Sequence, residues 1–181
     1  MKLAAALIGI VLAAGAGAQT GPAPERAFIE GVQLVQRASA GDSRAVDPAV
    51  DAFEALSRAE PGNPLYAAYL GSATGLKARA AWMPWTKVKY GEQALDYADR
   101  ALQALKPEDE RRLVRGAPMD IETRIVVASL FVRVPDEIFH RRAAGRKLLD
   151  QVYADPRFAS APAPLRAAAE AARARLKESA Q

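Results

Sequence analysis

One histidine and no cysteine set the chemical limits of this 181-residue chain. Without cysteine there is no thiolate nucleophile and no Cys-based metal site. A lone histidine, His140, cannot supply the paired imidazoles of a zinc-binding helix. A phosphate-cradling loop, a Gly-x-Ser-x-Gly elbow and a dinucleotide fingerprint are all missing from the sequence. A serine–histidine catalyst would have to recruit His140, which stands among arginines in Phe139-His140-Arg141-Arg142. A triad also needs a nucleophile and an orienting acid, and no pattern around His140 provides them. Asp96 and Asp99 fall on one face of a regular helix, where acids are ordinarily solvated. The expectation is a non-enzymatic protein with no metal and no cofactor, and a hydrolase using His140 is the least supported alternative.

Two other groups of residues have the chemistry of recognition. Trp82-Met83-Pro84-Trp85 holds both tryptophans of the protein, with Lys77, Arg79, Lys87 and Lys89 around it. Tryptophan and methionine are enriched at interaction surfaces. Against that, rings beside a proline kink can fold inward and fill the gap between two helices. The helical stretch through Ala81 puts Trp82 in the core, while Trp85, just after Pro84, is the binding anchor; Tyr90 shares the fate of the cluster. The second group is electrostatic. From Arg111 to Lys147 there are nine Lys/Arg and four Asp/Glu. Arg142 and Arg146, four apart, share a helix face, with Arg111, Arg112 and Arg115 on the preceding loop. Such a surface suits an anionic partner, whether protein, lipid headgroup or glycan; ion pairs to Asp136, Glu137 or Asp150 are the plainer alternative.

The N-terminus indicates where these groups work. Met1-Lys2, the apolar run Leu3 to Ala14 and Ala16-Gly17-Ala18 have the form of a secretory signal peptide. The run is shorter than the ~20 apolar residues that span a bilayer. The expectation is cleavage after Ala18 and a periplasmic or secreted protein with no transmembrane segment. Losing Lys2 reduces the net charge from +4 to +3, too mild a balance to argue for nucleic acid. The remaining chain suits a single domain, read as a leader at 19–24, a helical domain at 25–178 and a tail at 179–181.

Every strong pattern in that domain has helical spacing. A first helix over 25–39 places Phe28, Val32 and Val35 on one face. Asp47-Pro48 starts a second, with Val50, Phe53 and Leu56 inward. Glu60-Pro61-Gly62-Asn63-Pro64 turns the chain into a third, carrying Leu65, Tyr69, Ala73 and Leu76. Pro84 interrupts, and a fourth follows with Val88, Gly91, Leu95, Ala98, Leu102 and Leu105. Its small stripe of Gly91, Ala94, Ala98 and Ala101 admits a close neighbour. Residues 107–119 read as a charged loop. A fifth helix over 120–133, apolar nearly all round, should be buried on several sides. Pro135-Asp136-Glu137 opens a sixth with Ile138, Leu148, Leu149 and Val152 as core, and an Ala-rich helix with Leu165, Ala169, Ala172 and Leu176 ends the chain. The fold class is all-α: six or seven helices in stacked antiparallel hairpins.

Within residues 48–107 the chain resembles tetratricopeptide repeats. Ala49, Phe53 and Pro61 fall at the small, aromatic and turn-proline positions, and Leu70-Gly71 at the Leu-Gly pair of the next repeat. Ala94, Ala98 and Ala101 followed by Pro107 repeat the second-helix pattern. About eleven additional residues, including the Trp-Met-Pro-Trp segment, exceed the ~34-residue period, and Ala67 stands where a Trp is usual. The resemblance implies a right-handed helical array that binds proteins or peptides and carries no catalytic residues. The reading is an exported adaptor or scaffold for an envelope protein or peptide partner, with an anionic one suited to the arginine surface. The alternative is a small-ligand or lipid carrier whose pocket is lined by Trp82, Trp85, Tyr69 and Met83.

Overall fold

The computed structural model describes residues 23–178. The expected signal peptide, residues 19–22 of the leader and the tail lie outside the described residues. The helix that starts at Pro64 follows the local chemistry, whereas the one before it begins at Val46, ahead of the expected Asp47 cap, with no side chain capping it. Asn63 accepts hydrogen bonds from the Leu65 and Tyr66 N–H groups at 3.0 and 3.3 Å, and Pro64 sits in the first turn, where no donor is lost. In chain order the helices are α1 (Ala23–Ser39), α2 (Val46–Ala59), α3 (Pro64–Ala80), α4 (Pro84–Ala104), α5 (Met119–Phe131), α6 (Asp136–Phe139), α7 (Arg142–Ala154) and α8 (Ala163–Glu178). Short 3-10 turns cover Ser43–Ala45, Pro107–Glu110 and Pro156–Ser160. The fold is all-α, a stack of helix pairs.

Three differences from the sequence reading have physical causes. The expected sixth helix is two, because His140 adopts the left-handed conformation (φ 52°) and closes α6 before α7 resumes; Ile138, expected in the core, is 55% exposed. The loop over 107–119 contains a minimal hairpin, β1 (Leu113–Val114) paired antiparallel with β2 (Ala117–Pro118). Arg115 and Gly116 between them both have positive φ (51° and 79°), the conformation that suits a two-residue hairpin turn. Pro84 is not an interior kink but the start of α4.

The small residues behave as their spacing implied. A Cβ on Gly71 would lie 2.8 Å from the Ala94 carbonyl oxygen, so α3 and α4 approach backbone to backbone. Gly91, on the same helix as Ala94, lies under the Phe139 ring, 2.5 Å from where its Cβ would be; this holds α6 against α4. Phe53 stacks on Tyr69 at 5.0 Å, with Phe28 edge-on to both. α5 stands between two apolar clusters: Val126, Val127, Leu130 and Phe131 join that of α1–α4, while Ile121, Ile125, Ala128 and Val132 join that of α7 and α8. Among the described residues no helix is long and apolar enough to cross a membrane.

Candidate functional site

Two nearly all-buried helices, α3 and α5, expose one common edge, and the molecule is concave there. On one side α1 and α8 complete a cleft of ≈ 340 Å³, walled by Val32, Val35, Tyr69, Ile125, Val126 and Leu165. On the other, α4 and α6 complete a cleft of ≈ 430 Å³, walled by Gly75, Leu76, Pro84, Val88, Leu130, Ile138 and Phe139. Ser72 of α3 and Arg133, just beyond the end of α5, border both. The two clefts adjoin at Ser72 and Arg133, so this α3–α5 groove has two apolar-walled halves with a guanidinium where they meet.

Arg133 is the unusual group. Its Nε donates to the Ser129 carbonyl at 2.8 Å, and among the described residues no carboxylate lies within ion-pair distance of it. Although the residue reaches water, surrounding protein desolvates it, and with Arg175 and Arg79 nearby its pKa is pulled down to about 10. It is still charged at neutral pH. An incoming carboxylate would favour the charged form and so offset both the desolvation and the like-charge repulsion.

The wall of the first cleft holds a buried polar triad. Glu122, 1% exposed, accepts from the Tyr69 hydroxyl at 2.7 Å and from Arg115. Arg115 also donates to the Tyr69 oxygen at 3.3 Å and lies 5.1 Å from the Phe28 ring centre. Burial first, then the negative charge of Glu122, raises the Tyr69 pKa far above its ordinary value; the phenol stays neutral and donates. The tight satisfaction of these groups marks them as structural. The sequence did carry one signal for them: an acid inside a helix that is apolar all round requires a buried partner.

The expected arginine surface is divided. Arg115 turns inward to Glu122, and Arg112 pairs with Glu60 at 3.3 Å. Both lie near the start of α5, where the Met119 N–H bonds the Arg112 carbonyl. Arg142 and Arg146 belong to α7, whose Gly145 abuts Phe131 and Val132 at the other end of α5. A 13-residue helix separates the groups by roughly 20 Å. Arg111 and Arg146 are exposed and Arg142 is half-buried; the backbone N–H of Arg142 bonds Asp136 at 2.7 Å. Asp99 is not merely solvated, since Arg141 grips it with two hydrogen bonds of 3.0 and 2.6 Å.

The tryptophan segment also departs from expectation. Trp82 is 90% exposed, Trp85 66% and Met83 37%, so Trp82 is not core. Because Pro84 begins α4, the segment covers the turn after α3 and the first two residues of α4, at the tip of the hairpin, where no gap needs filling. Tyr69 and this segment do not share a pocket: Tyr69 borders the first cleft, whereas the segment reaches the second through Pro84. The His140 side chain is exposed and makes no hydrogen bond among the described residues. No group of three or more potential metal ligands occurs among them. Comparison with protein-family models, with curated proteins and with solved structures gives no match in any of the three.

Proposed function

We propose that the chain is an exported, non-enzymatic helical adaptor that holds a protein or peptide partner in the groove between α3 and α5. The observation that carries this reading is the place of Arg133, a guanidinium that borders both apolar-walled clefts and takes no carboxylate among the described residues. That arrangement suits a segment whose acidic residue is bracketed by aliphatic side chains, because burial strengthens a charge-assisted hydrogen bond. The tetratricopeptide-like spacing of residues 48–107 and the signal-peptide form of residues 1–18 point the same way. Two clefts that meet at one guanidinium accommodate a continuing polypeptide better than an isolated small molecule.

The test places a photo-crosslinking amino acid at Ala168, an exposed residue of the groove wall, in the protein expressed in its own envelope. The expected product is a discrete polypeptide adduct that disappears with Arg133→Glu. An adduct indifferent to Arg133→Glu would refute the role of the guanidinium. A lipid adduct would favour a carrier, the reading that the apolar lining of the second cleft supports.

A further inference from the structure

We propose that the α3–α4 tip is a docking element for the surface of an anionic lipid bilayer, with Trp82 and Trp85 seated in the interfacial layer. Both tryptophans of the protein, together with Met83, stand exposed within four consecutive residues. The fold makes no use of them there. The turn from Ala80 to Pro84 closes the hairpin through backbone geometry and the proline start of α4, and neither ring lines the adjoining cleft. Indole rings combine an apolar body with an N–H donor, which suits the boundary between headgroups and acyl chains.

The charge pattern selects the type of surface. From Pro61 to Gly91 the sequence has four cations, Lys77, Arg79, Lys87 and Lys89, and no acid. Lys77 is neutralised by Asp47 at 2.7 Å, and Arg79 bonds the Ala38 carbonyl at the end of α1. Lys87 and Lys89 are exposed and take no carboxylate among the described residues. They lie within four residues of Trp85, at the distance at which lysine stems reach back to headgroup phosphates while rings enter below them. Attraction to anionic lipid is additive per cation and short-ranged.

The experiment uses the full chain with vesicles of phosphatidylcholine containing phosphatidylglycerol, compared with pure phosphatidylcholine. The only tryptophans are Trp82 and Trp85, so intrinsic emission reports on the tip alone. Residues 1–18 contain no tryptophan, and tethering through them would leave the emission unmoved unless the tip inserts. The expected result is a blue shift on anionic vesicles, with quenching by lipids brominated in the acyl chain. Lys87→Glu with Lys89→Glu should weaken the binding that produces the shift by at least about thirtyfold, with melting unchanged. Arg133→Glu should leave it intact, which separates this element from the groove. Unshifted emission on anionic vesicles, or a shift equal on both vesicle types and indifferent to the lysines, would overturn the proposal. So would a shift produced only by an added envelope protein.

Discussion

The two ends of α3 spend their positive charge in opposite ways. At the N-terminal end Arg112 meets Glu60, and Arg115 meets Glu122 and the Tyr69 hydroxyl one turn further in. At the C-terminal end Lys77 has Asp47, but Arg79, Arg133, Lys87 and Lys89 take no carboxylate among the described residues. Packing consolidates that end: Phe139 over Gly91, and Leu130 pressed against Gly75. A surplus of basic residues in sequence therefore does not locate a positive surface. What decides is whether each cation has an acid within reach in the fold, and the stretch Arg111 to Lys147 contains Arg115 and Arg124, both committed to buried acids.

The largest expected effect comes from breaking the paired end. Arg115→Ala leaves Glu122 buried without its cation and should destabilise the protein by about 3–5 kcal/mol, whereas Arg112→Ala, which breaks an exposed pair, should cost about 0–1 kcal/mol. Urea denaturation of the two variants checks this, and equal effects would erase the difference between buried and surface pairing. At the other end, Gly91→Ala drives a methyl group into the Phe139 ring and should cost about 1–3 kcal/mol through overpacking. The same measurement applies, with no dependence on salt expected.

Acid should distinguish charge from packing. Arg157, hydrogen-bonded to Asp155, holds that carboxyl below its ordinary value of 3.8, against the opposing effect of burial. A depressed carboxyl lends stability above the unfolded value and loses it as pH falls through the folded one. Wild type should therefore exceed Asp155→Asn at neutral pH, with the gap closing below about pH 3.8; a gap that persists at lower pH would contradict the pairing. The smallest effects belong to exposed positions. Trp82→Ala, Trp85→Ala and Arg146→Glu should each move stability by less than about 0.5 kcal/mol. A loss of several kcal/mol from Trp82→Ala would mean that the ring is buried.

Periodicity exposed the parts of this fold that depend on neighbours along one helix. Val50, Phe53 and Leu56 are buried as their spacing implied, and so are Ala94, Ala98 and Ala101. The all-round apolarity of α5 correctly indicated burial on several sides. What spacing could not reveal was pairing at a distance. Tyr69 and Glu122 meet across 53 positions, and no local pattern links them. Nor could it foresee that His140 would turn left-handed inside a stretch of helix-forming residues. The error over Trp82 has a simple geometric source: a proline between aromatics reads equally well as a kink inside a helix or as the first residue of a new one. Only the second places the rings outside the stack. The groove escaped notice because Ser72 and Arg133 belong to helices whose apolar stripes gave no reason to connect them.

The position of α5 has a consequence for how the molecule opens. Its Val127 faces the cluster of α1–α4, and its neighbour Ala128 faces that of α7 and α8; both are fully buried. Neither cluster can come apart without uncovering this helix. Amides at its centre should therefore exchange with deuterated solvent only through global unfolding, whereas the single-turn α6 is free to open by itself. One helix thereby makes two cores melt as one, and the protein acquires a shared opening cost with no disulfide anywhere in the chain.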